Sequence, residues 1–124
     1  MDSALIVSYS EKSNQDLCKI LTEASISDIT VSPTAAEARR MLIDKDFDLI
    51  IVNTPLPDEF GESLARHIAE KKISEVILLV KAELFDDISN KVEEYGIITI
   101  AKPIGKTIFW NALKIASATH KRIK

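Results

Sequence analysis

The sequence predicts an α/β fold in three layers, with a parallel five-stranded sheet between two layers of helices. Five short apolar runs rich in valine and isoleucine recur along the chain, without regular alternation of apolar and polar residues. Such runs are typical of strands that are covered on both faces, as in parallel sheets. The segments between the runs carry apolar residues at helical spacing. The alternation of strand and helix therefore indicates a sheet built from β-α units.

All five runs have the length of a strand. They are Ala4–Val7, Asp28–Val31, Asp48–Val52, Val76–Val80 and Ile97–Ala101. The second run is the least apolar, which favours an edge position in the sheet. We expect right-handed helical crossovers to connect the parallel strands.

The first two helices are marked by an apolar stripe and by a capping signal. Leu17, Ile20 and Leu21 share one side of the first helix, after a polar stretch. In the second helix Thr34 and Glu37 have the spacing of a capping box, in which each side chain satisfies a free backbone amide of the first turn.

The remaining helices are expected over residues 61–72, over residues 84–95 and from a point after Pro103 to the chain end. Gly96 supplies a left-handed cap to the fourth helix. The last helix presents two adjoining apolar faces, which are Ile108, Ala112, Ile115 and Thr119 on one side and Phe109, Leu113 and Ala116 on the other. Its final segment contains no glycine or proline stop signal, so we expect a helix cut short at Lys124.

Composition places the chain among ordinary globular proteins and argues for one domain over residues 1–124. The 124 residues are 46% hydrophobic and 28% charged, with a formal net charge of -3. This balance excludes overall electrostatic binding of nucleic acid or anionic membranes. The single cysteine, Cys18, favours a reducing cytoplasm. No apolar run approaches the roughly 20 residues of a membrane helix, and no signal peptide is evident.

In parallel sheets, sites lie beyond the carboxyl ends of the strands. The residues at these ends are Ser8, Tyr9 and Ser10, Asn53, Thr54 and Pro55, Lys81 and Ala82, and Lys102 and Pro103. We therefore expect any functional site among these residues.

The segment from Asp48 to Gly61 resembles the third strand and following loop of receiver domains of two-component response regulators. In the same order, the runs 4–7, 76–82 and 96–103 are similar to their first, fourth and fifth strands, with the Lys102–Pro103 pair as the most specific match. The resemblance covers nearly the whole chain. It implies a flavodoxin-like sheet of strand order 2-1-3-4-5.

The resemblance also implies that the family's chemistry has been lost. A working receiver accepts a phosphoryl group on an aspartate at the position of Asn53, with Mg²⁺ held by acidic residues at the positions of Ser8 and Tyr9. An amide is not a nucleophile like a carboxylate, and these neutral groups offer Mg²⁺ no charged ligand. We expect neither phosphorylation, nor a metal, nor a cofactor, and we interpret the chain as a non-enzyme.

Other positions of the family's pocket are partly retained and partly altered. Lys102 and Pro103 are kept, whereas Lys81 replaces the hydroxyl residue after the fourth strand and Thr99 replaces the aromatic residue of the fifth. We expect Lys81 and Lys102 to approach Asn53 and to make the pocket cationic.

The other polar residues suggest less specific roles. Asp58 and Glu59 are expected in an exposed loop, His67 on an exposed helix face, and His120 near a helix end where cations suit the dipole. A flavodoxin-like FMN protein is the alternative from another class, because hydroxyl residues follow the first strand. The loop has no glycine, and Glu11 would repel a phosphate there.

The functional hypothesis is phosphorylation-independent signalling through dimerisation or partner binding. The expected surface comprises the fourth helix, fifth strand and last helix, with Trp110 as a candidate interface anchor that also suits the monomer core. Residues 101–113 and 118–123 further resemble receivers joined to an ANTAR RNA-binding antiterminator module, which would lie beyond Lys124 and would be the only part to contact RNA. A stand-alone regulator that binds a kinase or another protein is the competing hypothesis.

Overall fold

The computed structural model describes the backbone of residues 1–123 and the side chains of residues 1–121. Five strands and five α-helices alternate along the chain. They are β1 (Ser3–Val7), α1 (Glu11–Glu23), β2 (Asp28–Ser32), α2 (Ala35–Asp44), β3 (Leu49–Asn53), α3 (Gly61–Glu70), β4 (Glu75–Lys81), α4 (Phe85–Val92), β5 (Ile98–Lys102) and α5 (Lys106–Ile123). Short 3₁₀ turns, Ala82–Leu84 and Glu93–Tyr95, flank α4.

The strands form one parallel sheet in the order β2-β1-β3-β4-β5, which confirms the predicted topology. The weakly apolar second run is an edge strand, as expected, and β5 forms the other edge. In the register of the sheet, Asn53 lies opposite Leu79, and Lys81 lies opposite Lys102. The strand ends that carry these polar residues therefore meet along one edge of the sheet.

Helices cover both faces of the sheet, so that each face has its own apolar core. Alternate residues of β3 show the division, because Leu49 and Ile51 pack with α1 and α5 whereas Ile50 and Val52 pack with α2, α3 and α4. Because the residues that point to either face of the sheet are buried, the strands appear in the sequence as continuous apolar runs.

The predicted glycine cap is present in the structure, and the predicted capping box forms in part. Gly96 has φ +74° after the fourth helix, in the left-handed region that a glycine occupies without steric cost. The Thr34 hydroxyl accepts a hydrogen bond from the Glu37 amide at 3.1 Å. Only this half of the capping box forms within the described residues.

Helix α5 packs through one apolar stripe and exposes most of the other. Phe109, Leu113 and Ala116 are buried, as predicted from the sequence. On the second predicted face Ala112 is buried, whereas Ile108 and Ile115 are largely exposed, so only part of this face belongs to the core. Lys124 lies outside the described residues, as do the side chains of residues 122 and 123. Over the part of the chain that the structure describes, no helix is both long and apolar enough to span a bilayer.

Candidate functional site: an amide pocket at the strand ends

Side chains from three strand ends meet at the carboxyl edge of the sheet. Ser8 follows β1, Asn53 ends β3 and Lys102 ends β5. Ser8 and Asn53 are buried, and Lys102 reaches them from the side of the edge strand. The sequence prediction that these residues lie together is therefore confirmed by the geometry.

The Asn53 amide is held at both of its polar atoms. Its Nδ2 donates to the Ser8 hydroxyl at 3.0 Å, and its Oδ1 accepts from the Lys102 ammonium at 3.1 Å. Lys102 also donates to the backbone oxygen of Thr54. Because an ammonium only donates, the amide oxygen must face Lys102 and the amide nitrogen must face Ser8. Both polar atoms of the Asn53 amide are therefore satisfied, one by a neutral hydroxyl and the other by a cation.

Lys102 is the titratable group of the pocket. Burial lowers the pKa of its ammonium, and the nearby positive charge of Lys81 lowers the pKa further. Both effects disfavour the charged form, because burial removes solvent from the cation and a like charge repels it.

The expectation that Lys81 also contacts Asn53 is not met. The Lys81 side chain is exposed, and within residues 1–121 only Lys102 donates an ammonium hydrogen bond to Asn53. Lys81 lies at the open edge where β4 ends, so water can solvate its ammonium while Lys102 occupies the amide oxygen. Lys81 therefore affects the pocket through its positive charge and not through a hydrogen bond to Asn53.

The remaining pocket positions offer no set of metal ligands. Tyr9 points away as an exposed side chain, and the neutral Asn14 side chain donates to the Ser8 backbone oxygen at 3.2 Å. No group of three histidine, cysteine or acidic side chains is placed to hold a metal within the described residues. Mg²⁺ requires hard, preferably anionic oxygen ligands, so the amide, hydroxyl and ammonium present here do not fit it.

The loop after β3 is fixed by a close approach of backbone to side chain. A Cβ atom on Gly61 would lie 2.2 Å from Cγ2 of Thr54, so only glycine fits at the start of α3. The Thr54 hydroxyl in turn donates to the Leu79 backbone oxygen at 2.8 Å. The Thr54–Pro55 and Lys102–Pro103 peptide bonds are both cis, and Pro103 itself is exposed.

Thr99 lies in the middle of β5, opposite Leu78. Its hydroxyl is buried and has no hydrogen-bond partner among the described residues. A side chain this short cannot swing between inward and outward positions like an aromatic ring. The structure thus places the altered switch position at the edge strand, next to α4.

Asp58 and Glu59 lie in the loop between β3 and α3, where Asp58 is exposed as expected and Glu59 is partly buried, and both make contacts that the sequence did not indicate. Asp58 accepts hydrogen bonds from the amides of Ala35 at 3.0 Å and Ala36 at 2.9 Å, and these bonds lower the pKa of its carboxyl group. Glu59 pairs with Arg39 at 2.7 Å. The two acids attach the β3–α3 loop to the start of α2, a contact that no local sequence pattern indicates.

His120 is the largest departure from the sequence expectation. It is buried, and its two ring nitrogens lie 3.1 Å from Oδ1 of Asp48 and 3.2 Å from Oε2 of Glu75. These carboxylates lie at the amino ends of β3 and β4, opposite the amide pocket. His120 follows Ala116 by one helical turn, so its place on the buried stripe was the available signal. His67, by contrast, is exposed as predicted and lies 2.9 Å from Arg39.

Trp110 is half-buried on the flank of α5 that faces the connection between α1 and β2. It lines a small cavity with Met1, Ala24 and Ile26. At 100° per residue, Ile108 and Ile115 lie on the other flank, on the side away from this cavity. The side chain proposed from sequence as an interface anchor therefore does not share a flank with the exposed isoleucines.

The hydroxyls that suggested a flavin phosphate site have structural roles. Ser10 is the N-cap of α1 and accepts from the Ser13 amide at 3.3 Å, while Ser8 is buried against Asn53. These hydrogen bonds engage the hydroxyl groups that a bound phosphate would need.

Solved structures with the same architecture include several receiver domains. The receiver domain of a signal transduction histidine kinase from Syntrophus aciditrophicus superimposes with a TM-score of 0.84 at 26% identity, covering 98% of this chain and 94% of that one. The Francisella response regulator 1452 receiver domain matches with a TM-score of 0.82 at 21% identity over 100% of both chains. The signal receiver domain of an HD domain-containing protein from Pseudomonas fluorescens Pf-5 gives 0.83 at 23% identity, covering 97% of this chain and 89% of that chain.

The chain thus has the fold of the receiver domains of response regulators. No protein-family model matches the sequence, and no curated protein matches it significantly.

Proposed function

We propose that this chain is a phosphorylation-independent receiver, a non-enzymatic signalling module that acts by binding proteins. The observation that carries the proposal is the Asn53 amide, held between Ser8 and Lys102. In the receiver domains that this chain resembles, the phosphoacceptor aspartate stands at the position that Asn53 takes here.

Two chemical arguments support the loss of phosphoryl transfer. The nitrogen lone pair of an amide is delocalised, so Asn53 offers no carboxylate to attack phosphorus. Within the described residues, the side chains that meet at the pocket are an amide, a hydroxyl and an ammonium, which offer no anionic oxygen to hold Mg²⁺ against a phosphoryl group. The Lys102 ammonium already donates hydrogen bonds to the Asn53 side chain and to the Thr54 backbone, and these bonds hold the pocket in one arrangement.

Protein binding is supported by the surface that the fold leaves uncovered. Strand β5 is an edge strand, and α5 exposes Ile108 and Ile115 beyond it. We infer self-association through α4, β5 and this flank of α5. Exposed apolar side chains and an edge strand are both features that a second chain can cover.

The finer proposal is regulation of an ANTAR RNA-binding module in transcription antitermination. Ile108 and Ile115 are one heptad apart on a helix that runs to Ile123, which is coiled-coil spacing. A stand-alone cytoplasmic regulator that binds another protein is the competing proposal. Expression of the native gene product and measurement of its intact mass separate the two, because an output module requires a longer chain.

Beryllofluoride, a mimic of the phosphoryl group, tests the proposed loss of phosphorylation without requiring phosphoryl transfer. Beryllofluoride with Mg²⁺ should leave the amide NMR signals of Asn53, Lys81 and Lys102 unchanged, since neither a carboxylate nor a metal site receives it. Saturable shifts confined to these signals would contradict the proposal.

Sedimentation across a concentration series tests self-association. Ile115→Ser should weaken any dimer, whereas Ile43→Ser, which changes an even more exposed isoleucine on α2, should not. A wild type that stays monomeric at millimolar concentration, or equal weakening by both variants, would contradict the inferred surface.

A further inference from the structure

A groove lies beside the amide pocket, between the β3–α3 loop and the start of α4. Its volume is about 630 Å³. Residues 54–62 line one wall, and Lys81, Leu84, Asp87 and Ile88 line the other. We call it the Phe60 groove.

Two large apolar side chains in this lining are unexplained by the packing of the fold. Phe60 is 80% exposed and Leu84 is 47% exposed, and they belong to opposite walls. Phe60 occupies the N-cap position of α3 without making a side-chain capping bond. Polar residues are preferred at such positions because they satisfy free amides, so a phenylalanine here neither caps nor packs. Exposed apolar side chains on both sides of a depression are typical of a docking site.

The polar part of the lining is acidic. Four carboxylates, those of Asp58, Glu59, Glu62 and Asp87, line the groove together with the single ammonium of Lys81. The amide hydrogen bonds to Asp58 lower its pKa and so keep its carboxyl group ionised near neutral pH. The groove therefore repels polyanions and favours a cationic occupant.

The existing ion pairs leave this charge available to a partner. Glu59 pairs with Arg39, and Asp87 pairs with Lys91 one turn along α4 at 3.2 Å. Both pairs are partly or largely exposed, and exposed pairs are weak. Glu62 forms no ion pair within the residues whose side chains are described.

We propose that the Phe60 groove binds a cationic amphipathic segment of a partner protein. An apolar side chain of that segment lies between Phe60 and Leu84, and its lysine or arginine residues face Glu62 and the neighbouring carboxylates. This inference rests on the proposed signalling role and deepens it by naming the chemistry of one partner. The Phe60 groove is separate from the edge strand β5 and the exposed flank of α5.

A designed peptide can serve as the probe. A capped peptide of about 14 residues with leucine at helical i, i+3, i+4 and i+7 positions and lysine and alanine elsewhere matches the proposed chemistry. A scrambled peptide has the same charge without the apolar stripe, and a version with glutamate for lysine has the stripe without the positive charge. Titration into the ¹⁵N-labelled protein should shift the signals of residues 56–62 and 84–88 for the first peptide only.

Single variants then locate the binding. Phe60→Ser and Leu84→Ser should each weaken peptide binding by about tenfold or more, since anchors near the centre of a contact dominate its affinity. Glu62→Gln should weaken it less, because it removes one charge of several. Ile43→Ser, which removes a side chain also 80% exposed at another groove, should leave binding unchanged. Circular dichroism checks that each variant is folded.

Every outcome bears on the inference. Shifts of the groove signals that depend on Phe60, on the apolar stripe and on lysine support it. No binding, equal binding of the scrambled or acidic peptide, or binding that both serine variants retain would overturn it.

The same titration after treatment with Mg²⁺ and acetyl phosphate separates this inference from the proposed function. A protein that gains a phosphoryl group and still binds the peptide contradicts only the proposed function. A protein that stays unmodified and does not bind the peptide contradicts only the inference about the Phe60 groove.

Discussion

Gly61→Ala should destabilise the protein through one contact. The added Cβ would lie 2.2 Å from Cγ2 of Thr54, far inside the roughly 3.5 Å at which carbon atoms meet without repulsion. Overpacking in a core typically costs 1–3 kcal/mol, and the better helix propensity of alanine offsets up to about 1 kcal/mol. Because the Thr54 hydroxyl is also tied to the Leu79 backbone, we expect a net loss of about 2 kcal/mol in the free energy of unfolding, a fall in Tm of roughly 8 °C.

A second substitution should rescue the first. Thr54→Ser removes Cγ2 and keeps the hydroxyl that bonds to Leu79, at a cost of about 1 kcal/mol for the lost methyl group. In the double variant the nearest remaining atoms to the new Cβ are Cγ1 of Val52 at 3.3 Å and Cβ of Thr54 at 3.4 Å. The double variant should therefore be more stable than Gly61→Ala alone, with a coupling energy of about 2 kcal/mol.

Urea unfolding followed by circular dichroism measures all four members of this cycle. Gly105→Ala is the matched control, because its Cβ would meet only Cδ1 of Ile108 at 3.8 Å, an ordinary contact. A Gly61→Ala protein as stable as the wild type, or losses that simply add in the double variant, would refute the steric account of this loop.

Three further variants test other contacts of the fold and site. His120→Ala should lower the free energy of unfolding by about 2 kcal/mol, because it removes a buried side chain and its contacts with the carboxylates of Asp48 and Glu75, whereas exposed Lys121→Ala should change it little; equal effects would contradict the assigned contacts. Asp58→Asn should reduce the loss of stability in acid, because the lowered pKa of Asp58 stabilises the fold above the ordinary carboxyl pKa and this contribution disappears as pH falls through the lower folded value. An unchanged acid dependence in urea unfolding would argue against that role. Lys81→Met should raise the pKa of Lys102, measured by NMR titration of its side chain, since one of the two causes that lower it is removed; an unchanged or lower pKa would contradict the coupling.

The sheet could be predicted because each strand is marked by a local feature of the sequence. Strands covered on both faces need unbroken apolar runs, and the runs of β1, β3 and β4 are the clearest in the sequence. The parallel topology then brings Ser8, Asn53 and Lys102 to one edge, so the composition of the amide pocket followed from the positions of the strand ends.

The missed contacts all depend on distant parts of the chain meeting in space. Asp58 caps a helix that begins 23 residues earlier, and His120 contacts Asp48 across 72 residues. The predicted contact between Lys81 and Asn53 was wrong, because two residues that lie opposite each other in the strand register need not reach the same atom. Once Lys102 holds the Asn53 oxygen, solvent is the better partner for an ammonium at the open edge.

Whether the Asn53 position accepts a phosphoryl group is the central question for this receiver fold. Incubation with acetyl phosphate and Mg²⁺, followed by intact mass measurement, answers it, with a phosphoryl-accepting receiver domain treated in parallel. We expect the mass of this protein to be unchanged. We expect Asn53→Asp to gain little, because Ser8 and Tyr9 still supply no metal ligands. A stable gain of one phosphoryl group by the wild-type chain would contradict the account.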